Sequence, residues 1–269
     1  MRHLLTVALV AGTAIVAAAR ADEAPAPLAD NSFLIEEAYN QEPGVIQHIG
    51  LFSRDASGDG WGLSLTEEWP FRSQRHQLSL GIQMAKGGGD AEFGDTLVNY
   101  RYQVPITDGR LAFAPRLSAI LPTGDEQRGA GLGAFGLQVN LPFSAEIHPR
   151  WVTHTNAGVT RVDGAGDAGD RAVVEFDLET LNLGQSLIFR ATPRINPMLE
   201  VVWARERQNA HGATLTTEEG FVALGVRWGH DFASGLQIVP GIAYAQGFDD
   251  ADGEEQWLFY LSFEHSLRQ

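Results

Sequence analysis

The sequence predicts an all-β protein, a transmembrane antiparallel up-and-down β-barrel of about twelve strands. Three observations predict it. From Trp61 onward, stretches of roughly ten residues alternate apolar and polar side chains, as strands with one face in lipid and one in a polar lumen must. The connections alternate too: Gly/Asp-rich ones at 54–60, 87–92, 124–129, 163–170, 208–213 and 249–255 take turns with short ones at 70–73, 107–109, 144–149, 192–197 and 231–235. Outer-membrane barrels sort their connections this way, with long loops outside the cell and tight turns in the periplasm. Finally, residues 1–21 read as a secretory signal. Met1-Arg2-His3 is a basic start, Leu4 to Ala19 is apolar but for Thr6 and Thr13, and Ala19-Arg20-Ala21 offers small residues for cleavage. No later stretch approaches the roughly 20 continuous apolar residues of a spanning helix. Export without such a helix, together with the alternation, points to the outer membrane of a Gram-negative bacterium.

Taken in order, residues 22–43 form a periplasmic N-terminal segment ahead of a barrel over 44–269. Ala24-Pro-Ala-Pro27 reads as an extended spacer, and Phe33, Leu34, Ile35, Ala38 and Tyr39 would share one face of a short helix. This segment is either a disordered lead-in or a plug packed at the periplasmic mouth. In the barrel, every second residue separates lipid from lumen. Trp61, Leu63, Leu65 and Trp69 oppose Gly62, Ser64, Thr66 and Glu68, and Leu78, Leu80, Ile82 and Met84 oppose Gln77, Ser79, Gly81 and Gln83. The pattern continues with Val98, Tyr100, Tyr102 and Val104, then Leu111, Phe113, Leu117, Ala119 and Leu121, then Phe135, Leu137, Val139 and Leu141. Near the C-terminus, Val222, Leu224, Val226 and Trp228, then Leu236, Ile238, Ile242 and Tyr244, then Trp257, Phe259, Leu261 and Phe263 keep it. Weaker strands near 45–52, 151–162, 171–190 and 199–207 complete an even number, as bacterial barrels require. Trp61 and Trp69 lie roughly 26 Å apart along a strand, and tilt projects this to roughly 20 Å, near the height of the apolar band between aromatic girdles.

Some residues break the pattern. Glu67 falls on the lipid side, which only an interface or a register break tolerates. In 171–190 the apolar set moves from Val174, Phe176 and Leu178 to Leu181, Leu183, Leu187 and Phe189, which predicts a bulge near Glu179. Pro115 and Pro240 sit on the lipid side of the fifth and eleventh strands. Proline cannot donate to the ladder, so both are expected at wall bulges that set curvature or open the wall sideways to an apolar solute. Gln269 departs from the aromatic terminus common in such barrels, although Leu267 stays in phase with Phe263.

Charge and composition exclude several function classes. A formal charge of -15 argues against nucleic acid as a partner, since phosphate binding needs a basic face. The absence of cysteine excludes disulfides and thiolate chemistry. Gly131-Leu-Gly-Ala-Phe-Gly136 matches a dinucleotide pattern, but an alternating strand surrounds it where a helix should follow. Asp250-Ala-Asp252-Gly253 lacks the remaining ligand spacing of a calcium loop. Glu264-His265-Ser266 gathers the residue types of a hydrolase, but His265 points to the opposite face from the other two, and His76 and Ser79 also have opposite parity. No catalytic residue, cofactor or metal is therefore assigned. The informative charges are those predicted to line the lumen: Glu68, Arg101, Arg116, Glu175, Asp177, Glu179, Arg227 and Glu264. Such residues either line an aqueous or ligand path or form paired ladders that brace a small barrel.

Several stretches also carry a family likeness. They are 31–42 (NSFLIEEAYNQE) with Gly44-Val-Ile-Gln-His48, Glu68-Trp-Pro70 with His76-Gln-Leu-Ser79, and Ala114-Pro-Arg-Leu-Ser118 with Leu121-Pro-Thr-Gly-Asp125. Asn140-Leu-Pro142, Asn156-Ala-Gly158 and Pro197-Met-Leu-Glu200 continue it. The chain resembles the outer-membrane transporter family named after the meta-cleavage pathway of phenol degradation. That resemblance implies a barrel that passes small, hydrophobic or aromatic compounds, and it supplies no catalytic residues. The expected partners are outer-membrane lipid, lipopolysaccharide and a small-molecule solute. Two other readings stay open: a structural or surface-interaction barrel with a closed interior, and an outer-membrane lipid-modifying enzyme.

Overall fold

The computed structural model describes residues 31–87, 89–168 and 173–266; the expected signal segment, the Ala24–Pro27 spacer, and Leu267 and Gln269 lie outside them. Its strands are β1 (Val45–Asp55), β2 (Trp61–Phe71), β3 (Ser73–Lys86), β4 (Glu92–Phe93), β5 (Thr96–Tyr102), β6 (Leu111–Phe113), β7 (Arg116–Leu121) and β8 (Gly136–Asn140). There follow β9 (Phe143–His148), β10 (Trp151–Ala168), β11 (Val173–Phe189), β12 (Ile195–Ala210), β13 (Ala213–Trp228), β14 (His230–Asp231), β15 (Gln237–Asp249) and β16 (Glu255–Ser266). Four wall strands are broken into two segments each (β4/β5, β6/β7, β8/β9 and β13/β14), which leaves a closed antiparallel barrel of 12 strands. Every neighbour in sequence is a neighbour in the wall, and closure is made by β1 on β16, from Val45 opposite Ser266 to Asp55 opposite Gln256. Closure matters because no strand edge is then left to face lipid.

Alternation sets the two faces. Leu65, Leu80, Val98, Leu117, Leu137, Val159, Leu183, Val201, Leu224 and Leu261 are exposed on the outside, while Gln77, Ser79, Asn99, Ser118, Asn140, Asn156 and Ser262 are buried within. Aromatic pairs mark both margins of the apolar belt. Phe52 meets Trp61 at 5.9 Å and Tyr244 meets Trp257 at 5.0 Å near the long-loop end, and Trp151 meets Phe189 at 4.7 Å near the short turns. Glu67 is on the outer face as expected and has a local partner. His48 Nδ1 lies 3.7 Å from its carboxylate, and His48 Nε2 lies 3.3 Å from His265 Nε2.

Three expectations are corrected. The bulge expected near Glu179 falls in the partner strand: β11 runs in unbroken register against β12 from Asp177 to Ile188, and the β10–β11 ladder shifts between Val162 and Ala165, opposite Asp177. Phe176 and Leu178 consequently face inward, packed with Ile120, Val162 and Ala165, while Glu175, Asp177 and Glu179 are exposed on the outer parity of Leu181 and Leu183. The apolar residues of this stretch belong to an inward-packed cluster near the mouth, so apolarity alone misreads the face. The prolines are not bulges. Register through Pro115 is unshifted, with Phe113 opposite Phe143 and Arg116 opposite Asn140. Across Pro240 it is unshifted too, with Arg227 opposite Gly241 and His230 opposite Ile238. They interrupt the ladder without slipping it. Finally, several expected connections are mostly strand, among them 144–149, which lies in β9 as far as His148. β10 continues to Ala168, and β12 and β13 meet in a two-residue hairpin at His211 and Gly212, with φ of 51° and 82°. Two successive positive φ values match the twist of the flanking strands.

Candidate functional site: a plugged, two-faced lumen

Residues 31–42 lie inside the barrel near the short-turn end. They form bends and not the expected helix, because the wall takes their backbone groups one by one. Glu200 on β12 accepts the N–H groups of Phe33 and Leu34, both at 2.8 Å. Asn156 on β10 accepts from Glu36 N–H at 2.9 Å and donates to its carbonyl at 2.7 Å. Three further wall side chains accept plug N–H groups: Ser144 from Ala38 at 2.8 Å, Gln103 from Asn40 at 2.9 Å and Gln77 from Gln41 at 2.8 Å. An irregular segment can sit at membrane depth only if its polar groups are satisfied in this way. The side chains fit as closely. A Cβ on wall residue Gly184 would collide with Ile35 Cδ1, and one on Gly225 would collide with the Phe33 ring, so the wall is hollowed where the plug is bulky. Phe33 also meets Tyr260 edge-on at 6.0 Å.

Glu36 is the electrostatic centre of the plug. Its carboxylate accepts from Arg101 at 3.0 Å, Arg116 at 2.9 Å and Asn140 at 3.0 Å. Arg101, with a side chain only 3% exposed, also reaches Glu68 at 3.6 Å and donates to the carbonyls of Glu37 and Tyr39. Burial pushes the Glu36 carboxyl up, but Arg116 and then Arg101 outweigh it and hold the group below the usual carboxylate range. At the other end of the plug, Arg227 on β13 donates to the Asn31 carbonyl.

Of the eight charges predicted to line the lumen, the structure thus brings Glu68, Arg101 and Arg116 together around Glu36. Arg227 holds the plug's start, and Glu264 is half-buried on the inward parity of Ser262. Glu175, Asp177 and Glu179 are outside. The sequence reading missed Glu36, Asn156, Ser144 and Glu200. Glu200 and Asn156 carried a legible signal, a polar side chain at an inward position a few residues from a short turn.

Above the plug lies a cavity of about 410 Å³. One side is polar, with Ser64, Thr66, Gln83, Asn99, Gln138 and Asn182; the other is apolar, with Ile49, Leu51 and Tyr260 beside Leu34 of the plug. The apolar side continues into a buried cluster of Ala223, Ala243, Ala245 and Leu258. Toward the long-loop end, residues 122–135 fold inward, because Asp95 accepts from Gly124 N–H at 3.0 Å and Leu132 N–H at 2.8 Å. Leu132 and Ala134 pack on the cluster that holds Phe176 and Leu178. The Gly131–Gly136 motif belongs to this turn and the start of β8, with no helix after it.

One serine–histidine pair stands out: Ser144 Oγ lies 2.7 Å from His154 Nδ1. Both are buried beneath the plug, Ser144 also accepts the Ala38 N–H, and no carboxylate is bonded to His154 among the described residues. The pair anchors the plug. No group of His, Cys, Asp and Glu able to hold a metal occurs among the described residues.

No family profile matches the chain, and no curated protein matches it by sequence. Solved structures do match in shape. An outer membrane channel from Pseudomonas putida F1 aligns with a TM-score of 0.65 at 9% identity, covering 85% of this chain and 97% of that one. The NanC porin aligns with a TM-score of 0.53 at 8% identity, covering 82% of this chain and 100% of that one. At such identities the likeness is one of architecture, and the chain has the closed-barrel fold of Gram-negative outer-membrane proteins.

Proposed function

We propose that this protein is an outer-membrane channel for small organic compounds with a hydrophobic or aromatic body. The observation that carries the reading is the two-faced lumen, apolar along β1, β13, β15 and β16 and amide- or hydroxyl-lined opposite. A purely aqueous pore has no use for an apolar wall, and a barrel braced only by side chains would leave no cavity of this size. Likeness to the P. putida channel and resemblance to the phenol meta-cleavage family support the same class. In this reading the short turns and the plug face the periplasm, the outer belt meets lipid and lipopolysaccharide, and the protein performs no catalysis of its own. The alternative, a closed structural barrel, draws support from the saturated ion pairs at the plug.

Flux decides between them. Liposomes carrying the purified barrel should admit phenyl glucoside, an amphiphile that does not cross lipid unaided, faster than sucrose of similar size. Equal flux of the two, or none of either in both the intact protein and a variant lacking residues 31–43, would overturn the channel reading.

A further inference from the structure

The outer face of β10 and β11 is layered from the short-turn end toward the middle of the belt. Trp151 stands opposite Phe189, Thr155 opposite Gln185, Ala157 opposite Leu183 and Val159 opposite Leu181. All lie on the outward parity of the exposed Leu183 and Val159. A polar layer is out of place in a wall that meets hydrocarbon. Thr155 donates to Gln185 Oε1 at 2.8 Å, and Gln185 Nε2 donates to Thr153 Oγ1 and, at 3.2 Å, to the Ser186 carbonyl. The layer begins two residues beyond the ring pair, roughly 5 Å deeper once strand tilt is allowed for. With the rings at headgroup level, that depth is still within the interfacial region, where lipid glycerol and ester groups lie.

Next to the ring pair sits uncompensated positive charge. Arg150 lies over the Phe189 ring at 5.5 Å, and Phe189 meets Trp151 at 4.7 Å. The same guanidinium reaches the Ala191 carbonyl at 3.4 Å, and so overhangs the turn that carries Arg194. That turn is closed by the Ala191 and Thr192 N–H groups, both on the Ile195 carbonyl. Arg150 and Arg194 are exposed, and neither is ion-paired among the described residues. The acidic groups on the neighbouring turns are engaged: Glu146 holds Arg190 at 3.1 Å, Asp108 holds Arg110 at 3.2 Å, and Asp231 accepts from Gln237 at 2.7 Å. An arginine stacked on an outward ring is held at headgroup depth, and its planar fork matches a phosphate.

We propose that this corner of the wall binds an anionic phospholipid of the periplasmic leaflet. Its phosphate lies at Arg150 and Arg194, its glycerol and ester groups at Trp151, Thr153 and Gln185, and its acyl chains along Leu183 and Val159. The inference rests on the channel reading only for which end of the barrel faces the periplasm. Lipopolysaccharide carries phosphates too, but in that reading it occupies the opposite leaflet, where the same two strands end among the exposed Asp163, Glu175 and Asp177. A periplasmic protein is a poorer occupant, because it would meet the arginines and leave the polar layer within the belt without a partner of matching depth.

Lipids brominated on the acyl chain quench tryptophan fluorescence on contact, and this provides the test. The full barrel is reconstituted in phosphatidylcholine vesicles containing a minor fraction of brominated lipid, either phosphatidylglycerol or phosphatidylcholine. Excess quenching by the phosphatidylglycerol should correspond to about tenfold enrichment at the site, the order of effect that two arginines near a headgroup give. The double variant Arg150→Gln, Arg194→Gln should abolish the excess. Trp151→Phe, which removes the reporter at the site, should remove most of it, and Arg54→Gln at the far end should leave it unchanged. Heat-modifiable electrophoretic mobility checks that each variant is a folded barrel. Equal quenching by the two lipids, or an excess that survives either the double variant or Trp151→Phe, would overturn the proposal. Stronger displacement by lipid A than by unlabelled phosphatidylglycerol would overturn it in favour of lipopolysaccharide. None of these outcomes depends on solute flux, so the proposal can fail while the channel reading stands.

Discussion

Replacing Glu36 by alanine should open the channel. In the structure Glu36 bonds Arg101 and Arg116 at 3.0 and 2.9 Å and Asn140 at 3.0 Å, with its side chain 17% exposed. Without it, Arg101 keeps Glu68 at 3.6 Å, but Arg116, 16% exposed, loses its carboxylate altogether. Removing one partner of a buried, hydrogen-bonded pair costs about 3–5 kcal/mol. The remaining contacts of the plug are weaker individually: burial of Phe33 and Ile35 contributes about 2 kcal/mol each, and each backbone bond about 1 kcal/mol. Loss of about 3 kcal/mol from the docked state alone multiplies the undocked population by roughly two orders of magnitude. Single-channel recording in planar bilayers reads that population as the open fraction. Glu36→Gln, which keeps an acceptor for Asn140 but no charge, should fall between wild type and alanine. An unchanged open fraction in a Glu36→Ala barrel of normal heat-modifiable mobility would refute the view that this ion pair seats the plug.

Further outcomes follow from the same geometry. Because the docked Glu36 carboxyl is held below the usual range, its contribution is present above the undocked value and lost as pH falls through the docked one; conductance should therefore rise on acidification, and Glu36→Gln should flatten that rise. Pro115 accepts from Tyr102 N–H at 3.1 Å but returns no donor, and Pro142 accepts from Ala114 N–H at 3.0 Å and likewise returns none. The fifth wall strand thus lacks a ladder bond toward each neighbour at adjacent residues. Pro115→Val should restore one, worth about 1 kcal/mol, and slow an apolar solute while sparing a polar one if solute leaves through the wall; equal effects on both would assign the proline to backbone shape alone. For orientation, cysteines at His211 and Ser234 should differ on intact cells, the first labelled by an impermeant thiol reagent and the second protected, and the reverse pattern would invert the barrel.

The sequence by itself determined the wall. Alternation with period 2 is a local property, forced by a lipid face that must be apolar, and an even strand number follows from a backbone that must be fully paired. The expected sorting of connections by length did not hold throughout, since only His211 and Gly212 join β12 to β13 while 103–110 lie between β5 and β6. Trp61 to Trp69, Leu78 to Met84 and Trp257 to Phe263 could be assigned to a face without reference to any other strand. Only the tertiary structure decided the interior. Phe176 and Leu178 are apolar and face inward because a connection folded into the mouth supplies Leu132 and Ala134 to cover them, and no pattern within 171–190 announces that cover. The plug was legible as an amphipathic stretch but not as a bent one, because its shape is dictated by acceptors from distant strands, Glu200 at one end and Gln77 at the other. Glu36 shows the reason most directly: 65 and 80 residues separate it from its arginines, and only closure of the barrel brings the three charges within bonding distance.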